Sequence, residues 1–477
     1  MRSAQPVCFL LSSAKKGFLS TAVRNLRGSV KDAQIAVSQN QRYSDQMLTG
    51  KQWRKLELDL IEPKMILPGL VPRIEKLSRN DNKRLLTVNW SDGTQGKFPY
   101  PWLQDNAPTE DVYHIGPNNR ARVLLMKNLD THKLPAEVAF TQNGDAIIIK
   151  WSDKHPGVTF TSKWLKERNF TDPQFRMSRK KLWNPEFKSW GSEKGHRLLE
   201  TPADYPKLMT DDKYLRQILI HFLKFGILRV TNVPRVTNTL NDLGRRIGHL
   251  YSNHHVKAGS DALFEVVAEI DPSNLSNTHR SLGLHTDQPQ RNQPPEVQIL
   301  HYISQAGKGG ENQFSDGFRA AEQMKKEKPE LYKILIQVPV EFIDWGKMLY
   351  KYQFSTCRTT VQLDECGNHK AIYFNNQIRS WFIDAPPEKI PLVYDALKTF
   401  NDYCYQERNL VETKMAAGEM IWFSNNRVLH GRTEYDVSNT TEMIKRHLEG
   451  CYMNFDVMRS KIRVIEESLN KQTHVSY

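Results

Sequence analysis

His285 and Asp287 stand two residues apart in Gly283-Leu284-His285-Thr286-Asp287. On a strand, that spacing projects both side chains to one face, where they could reach one ion. A third ligand is expected from His430, far along the chain in Val428-Leu429-His430-Gly431-Arg432. Two histidines and one carboxylate on one face of an iron ion leave coordination positions open. A chelating 2-oxo acid can take two of them and dioxygen the third. His285, Asp287 and His430 are therefore the expected metal ligands and catalytic centre. Arg446, in Lys445-Arg446-His447-Leu448-Glu449-Gly450, adds a guanidinium that can grip a distant carboxylate with two parallel hydrogen bonds. Lys445 and Arg432 compete for that role.

Elements that could position such a site are visible in the hydropathy pattern. Residues 211–226 read as an amphipathic helix, with Tyr214, Leu215, Ile218, Leu219, Phe222 and Leu223 at helical spacing and Asp211-Asp212 at its start. Gly226 ends it, and a strand begins at Ile227. Further short strands are expected at Val297–Ile303, Ala371–Phe374 and Met420–Phe423, with helices near Phe318–Lys326 and Ile390–Glu407. Strands joined by turns and flanked by helices suggest an α+β, mainly β domain with a sandwich or barrel core. An internal repeat precedes it. Leu86–Asn89 runs into Trp90-Ser91-Asp92 with Trp102-Leu103 beyond, and Ile147–Lys150 runs into Trp151-Ser152-Asp153 with Trp164-Leu165 beyond. Each copy reads as strand, turn, strand and Trp-Leu anchor, which makes residues 70–170 a small β-rich domain with core tryptophans. Residues 171–477 are left as the catalytic domain.

The bulk numbers exclude little but exclude it usefully. The chain has 477 residues, 39% hydrophobic and 25% charged, as in ordinary globular proteins. No stretch approaches the roughly 20 apolar residues of a bilayer span. The net charge of +14 suggests nucleic acid, yet the basic residues are scattered among acidic ones, as in Lys325-Lys326-Glu327-Lys328, and carry no recognition motif. A solvated basic surface is the better reading. Five cysteines at wide spacing, with no CxxC, argue for plain thiols. Residues 1–31 lack Asp and Glu but contain six Lys and Arg. They are expected to be a mitochondrial transit peptide, with a cytoplasmic location as the alternative. Residues 32–69 are expected to be a linker.

Longer motifs now carry a resemblance. His285-Thr286-Asp287, Pro294-Pro295, Gly309-Gly310, Asp316-Gly317-Phe318, Phe374-Asn375-Asn376, Leu429-His430-Gly431-Arg432 and Arg446-His447-Leu448-Glu449-Gly450 occur in this order. Over about residues 75 to 465 the chain resembles the gamma-butyrobetaine dioxygenase and trimethyllysine dioxygenase family of Fe(II)- and 2-oxoglutarate-dependent oxygenases, and more closely the former branch. The resemblance implies a double-stranded β-helix, or jelly-roll, after a small β-rich domain. It implies Fe(II), 2-oxoglutarate and dioxygen, with ascorbate supportive, and Arg446 as the 2-oxoglutarate clamp. Hydroxylation of gamma-butyrobetaine to L-carnitine is the first expectation. Trimethyllysine or another amino or carboxylic acid is the alternative, and a homodimer is possible in such a family. A non-catalytic iron or 2-oxoglutarate sensor is a more remote reading, and the complete set of ligands with Arg446 argues against it.

Two departures from the family pattern stand out. The positions of three zinc-binding cysteines are Ala107, Thr109 and Val112, and His155 alone remains, so structural zinc is not expected. The trimethylammonium cage, which works by cation–π attraction, keeps Tyr452, but Phe264 stands for a tryptophan and Asn277 for a tyrosine. On the carboxylate side Asn274 and Asn375 match, while Gln288 replaces a tyrosine and Ser304 a lysine. His254 and His255 could compensate near Phe264.

Overall fold

The computed structural model describes residues 71–115, 120–152, 157–176, 187–252, 256, 260, 262–267, 278–305, 308–347, 350–435 and 446–473. The expected transit peptide and linker lie outside these, as do His155, His254, His255, Asn274, Asn277 and Lys445. The chain divides into two compact units, Met1–Phe175 and Arg176–Tyr477.

The first unit contains the tryptophan repeat as two related structures. Strands β1 (Ile74–Asn80), β2 (Leu85–Trp90) and β3 (Gln95–Pro99) form an antiparallel sheet that leads into helix α1 (Tyr100–Asp105). Strands β4 (Glu137–Phe140), β5 (Ala146–Lys150) and β6 (Val158–Thr161) do the same into helix α2 (Ser162–Lys166). Leu86, Val88 and Trp90 alternate inward on β2, and Ile147 and Ile149 do so on β5, so period-2 patterning builds one shared core. Trp102 and Trp164, one from each copy, meet with ring centroids 5.4 Å apart. The Trp90 indole donates to Ser162 Oγ at 2.9 Å, which satisfies its one buried donor. Ala107 and Val112 are buried in this same core and offer no sulfur to a metal.

The second unit runs, in order, α3 (Asp212–Phe225), β7 (Ile227–Thr231), α4 (Thr239–Ile247), β8 (Phe264–Val267), β9 (Leu282–His285), β10 (Val297–Ser304), β11 (Asn312–Asp316), α5 (Gly317–Glu327), β12 (Pro339–Lys347), β13 (Lys351–Thr359), β14 (Arg379–Ile383), α6 (Ile390–Tyr405), β15 (Leu410–Thr413), β16 (Glu419–Ser424), β17 (Val428–Arg432), β18 (His447–Met453) and α7 (Phe455–Thr473). A larger sheet has the order β8-β18-β10-β16-β7, with Ala203–Asp204 at its edge, and a smaller one the order β9-β17-β11-β15. Inward side chains of both sheets share one core, including Tyr302, Phe314, Phe423, Val428 and Leu448. This is the α+β jelly-roll of a double-stranded β-helix.

Local chemistry sets the elements around it. Helix α3 starts where Asp211 Oδ1 accepts from Tyr214 N at 3.0 Å and stops at Gly226, whose φ of 71° suits a residue without Cβ. Its buried Leu215, Leu219 and Phe222 cover the outer face of the larger sheet beside Trp422 and Met453. The strand expected at 371–374 runs instead from His369 to Ile372. Cys357 and Cys366 are exposed thiols, while Cys404 and Cys451 are buried ones.

Trp90→Ala empties a packed position and removes a buried hydrogen bond. It is expected to destabilise the protein by about 3–5 kcal/mol, to be measured by urea denaturation followed by circular dichroism.

Candidate metal centre

Strands β9 and β17 are antiparallel neighbours, and their register sets His285 directly opposite His430. The two imidazole centroids are 4.2 Å apart. Asp287 Oδ1 lies 3.2 Å from His285 Nε2 and 3.9 Å from His430 Nε2. One ligand atom from each of the three residues lies within 4.8 Å of the others. Among the described residues, no other set of three or more His, Cys, Asp or Glu side chains comes this close. One expectation is corrected here. Asp287 does not share the pleat of a strand with His285, because β9 ends at His285. The pair converges through the turn that follows.

The donor chemistry fits a cation. His285 Nδ1 is 2.7 Å from Gly283 O. Assigned as the donor there, it leaves Nε2 as a bare lone pair facing Asp287. Burial and the adjacent His285 push the His430 imidazole down to about 3, so it is neutral and able to ligate near pH 7. Burial alone would raise the Asp287 carboxyl, yet it is held below the usual carboxylate range, with the Tyr452 hydroxyl donating to it. Two lone pairs and an anion facing one another are the donor set of an Fe(II) facial site.

A frame of hydrogen bonds holds the turn. Asn425 Oδ1 accepts from Asp287 N at 2.7 Å. Asn425 Nδ2 donates to Asp287 O at 2.9 Å and Pro295 O at 2.8 Å. Thr286 N donates to Phe374 O at 2.7 Å, and Phe374 N returns a bond to Thr286 Oγ1 at 3.1 Å. Gln288 then takes a φ of 57°, in the left-handed region, and the chain turns away. Sequence reasoning missed Asn425. Its only signal was a place in the turn Ser424-Asn425-Asn426-Arg427, and nothing there indicated that its amide reaches Asp287.

Arg446 sits just before β18 and Arg432 ends β17, and both are buried. Their guanidinium carbons lie 5.5 Å and 4.8 Å from the Tyr435 ring centroid. Burial, then the nearby charge of Arg446, pushes Arg432 down to about 10. Two desolvated cations this close favour an anion between them. Arg432 Nη2 donates to Thr278 O and Arg280 O, both at 2.7 Å, and the buried Nε of Arg446, like that of Arg432, makes no hydrogen bond. Each guanidinium therefore keeps a donor atom that a carboxylate could meet.

The expected substrate residues divide. Phe264 and Tyr452 are brought together, stacked with centroids 5.1 Å apart and planes at 27°. The rings fill the gap between them, so a cation can use only an outward face. Gln288 is buried beside Tyr452. Both ends of the Asn375 amide are engaged by backbone, Nδ2 with Thr286 O at 3.2 Å and Oδ1 with Gln377 N at 3.0 Å. Ser304 is placed elsewhere. It opposes His447, whereas Tyr452 opposes Gln298 on the same strand β10, about 20 Å of strand away. A cleft of about 1710 Å³ is lined by residues such as Asn292, Arg358, Tyr373 and Arg459 and by none of these site residues.

Comparison with known proteins gives two family matches. Residues 188–452 match the taurine catabolism dioxygenase TauD, TfdA family. Residues 77–166 match the gamma-butyrobetaine hydroxylase-like N-terminal family. The chain is 32% identical over 395 residues to gamma-butyrobetaine dioxygenase of Homo sapiens, covering 83% of this chain and 97% of that protein. It is 23% identical over 384 residues to mitochondrial trimethyllysine dioxygenase of Gallus gallus, covering 80% and 86%. A solved asparagine oxygenase in complex with Fe(II), 2S,3S-3-hydroxyasparagine and succinate aligns at 14% identity with a TM-score of 0.40, covering 52% of this chain and 88% of that one.

Asn425→Ala leaves buried donors and acceptors unmatched, at about 1–3 kcal/mol for each group left unsatisfied. A fall in the urea midpoint, together with weakened Mn(II) binding measured by calorimetry, is expected.

Proposed function

This chain belongs to the TauD/TfdA dioxygenase family and carries the gamma-butyrobetaine hydroxylase-like first domain, and from that premise we propose that it hydroxylates gamma-butyrobetaine to L-carnitine. The reaction class is that of a 2-oxoglutarate-dependent dioxygenase using Fe(II) and dioxygen. The convergence of His285, Asp287 and His430 on one point is the observation that carries the catalytic reading. The 32% identity over 97% of the human enzyme supports the substrate.

In this reading His285 Nε2, Asp287 Oδ1 and His430 Nε2 hold the iron. When bound there with 2-oxoglutarate and dioxygen, iron supplies the oxidising power that puts one oxygen atom into the substrate and one into succinate, with loss of carbon dioxide. Arg446 receives the distal carboxylate of 2-oxoglutarate, and Arg432 adds to the positive field behind it. The rings of Phe264 and Tyr452 offer one face to the quaternary ammonium. Burial of the triad keeps bulk water from the reacting carbon. Residues 1–31, basic and free of acid, would direct the chain to mitochondria.

A related substrate, trimethyllysine or another amino acid, is the second reading. The specific observation favouring it is the carboxylate side: Gln288 stands where a tyrosine is usual, and Ser304 lies far along β10 from Tyr452. Purified protein given Fe(II), 2-oxoglutarate and each candidate in air decides between them. Equal amounts of succinate and carnitine are expected with gamma-butyrobetaine. Succinate coupled only to hydroxytrimethyllysine would replace this substrate with the other, and no succinate with any candidate would remove the enzymatic reading.

Two variants test the assignments. Asp287→Ala is expected to abolish succinate formation, and full activity would refute its place as a ligand. Arg446→Ala is expected to raise the 2-oxoglutarate KM roughly 10- to 150-fold, the equivalent of a lost charge-assisted hydrogen bond of about 1.5–3 kcal/mol. An unchanged KM would move the clamp to Arg432 or Lys445.

A further inference from the structure

We propose that Tyr452 is a positioning residue for the metal ligand Asp287: its hydroxyl fixes one carboxylate oxygen so that the other is presented to the ion. The inference rests on the reading of His285, Asp287 and His430 as the metal centre.

The two oxygens of Asp287 have different surroundings. Oδ1 faces both imidazoles, at 3.2 Å and 3.9 Å from their Nε2 atoms. Oδ2 points away and accepts the Tyr452 hydroxyl at 2.6 Å, a length typical of a charge-assisted O–H···O⁻ bond. The terminal torsion of an aspartate is broad and two-fold. Without a restraint on Oδ2, the carboxylate could rotate or offer both oxygens to one ion.

Tyr452 is well built for this role. Its backbone is held on β18 opposite Gln298 of β10, and its carbonyl accepts from Tyr251 N at 2.8 Å. Its ring is clamped against Phe264 at 5.1 Å, and it is only 4% exposed. The hydroxyl is thus delivered from a rigid strand, while Asn425 fixes the Asp287 backbone from β16 and the turn after it. Backbone and side chain of the ligand are restrained from separate directions. Groups that hold metal ligands in this way typically contribute about 10- to 100-fold to metal affinity. The same side chain also forms part of the ring pair at the proposed substrate pocket. A role confined to that pocket would require the ring and not the hydroxyl.

Tyr452→Phe separates the two roles, because it keeps the ring and deletes one oxygen. Co(II) titration of the metal-free protein, followed by its visible absorption, reads affinity and coordination without turnover, and melting of the metal-free protein reads folding. The expected result is Co(II) affinity weakened about 10- to 100-fold, a changed visible spectrum and an unchanged metal-free melting temperature. Wild-type affinity and spectrum in the variant would overturn the inference, leaving the centre itself intact. A metal-free variant that melts far below wild type would also overturn it, by making the hydroxyl a general structural contact. Failure of the wild-type protein to bind Co(II) would instead remove the metal centre, and this inference with it.

Discussion

His285 and His430 face each other across β9 and β17, and everything else in the site depends on that register. A slip of one residue in an antiparallel pair sends every side chain of one strand to the other face. One imidazole would then leave the site and the second would lose its partner. Strand β17 is central in the smaller sheet, bonded to β9 on one side and β11 on the other. Phe314 of β11 opposes His430 directly, and the Phe423 ring lies 4.5 Å from the His430 ring. The imidazole is therefore flanked by aromatic surface on the side of the Phe423 ring. That surface contributes to the burial that keeps it neutral.

The start of β17 is fixed by a buried ion pair. Arg427 and Asp316 are 1% and 0% exposed and meet through two hydrogen bonds, Nε to Oδ1 at 3.0 Å and Nη2 to Oδ2 at 2.7 Å. Desolvating two charges is costly unless every remaining polar atom is matched. Here Arg427 also donates to Lys224 O and Lys188 O, while Asp316 also accepts from Trp190 N and Phe318 N. The pair ties the end of α3, the start of α5 and the residue just before β17 together, three residues before His430. Such a network contributes little net stability compared with an apolar core. Its contribution is to allow one arrangement, which a metal centre needs.

Much of this was legible in the sequence. Period 3.6 marked α3, and its caps at Asp211 and Gly226 marked both ends. Apolar runs marked β10 and β16, and the tryptophan repeat marked the paired units of the first domain. The two histidines could be named because their motifs are compact. Less legible was anything set by long-range geometry. The spacing of His285 and Asp287 suggested a shared strand face, whereas the strand ends at His285 and bonds from Phe374 and Asn425 hold Thr286 and Asp287 beyond it. Asn425 is 138 residues from Asp287 and Tyr452 is 165. No local pattern can report such contacts. Ser304 was expected on the carboxylate side of the substrate site, where the family resemblance implies a lysine, yet strand register sets it far along β10 from Tyr452.

The arginine pair brings a second constraint. Arg432 and Arg446 are buried together over Tyr435, and burial with the nearby charge of Arg446 disfavours the charged form of Arg432. Arg432 relieves part of this by donating to two backbone carbonyls, which also ties β17 to the chain leading into β9. A dicarboxylate entering the site would neutralise the pair and complete its hydrogen bonds at once. Its binding free energy would then add to folding stability, because the pocket exists only in the folded protein. The same strand that presents His430 also ends in Arg432. His430 and Arg432 are thus two residues apart on one five-residue strand, on the same face of it, so a single element fixes both the imidazole and the guanidinium.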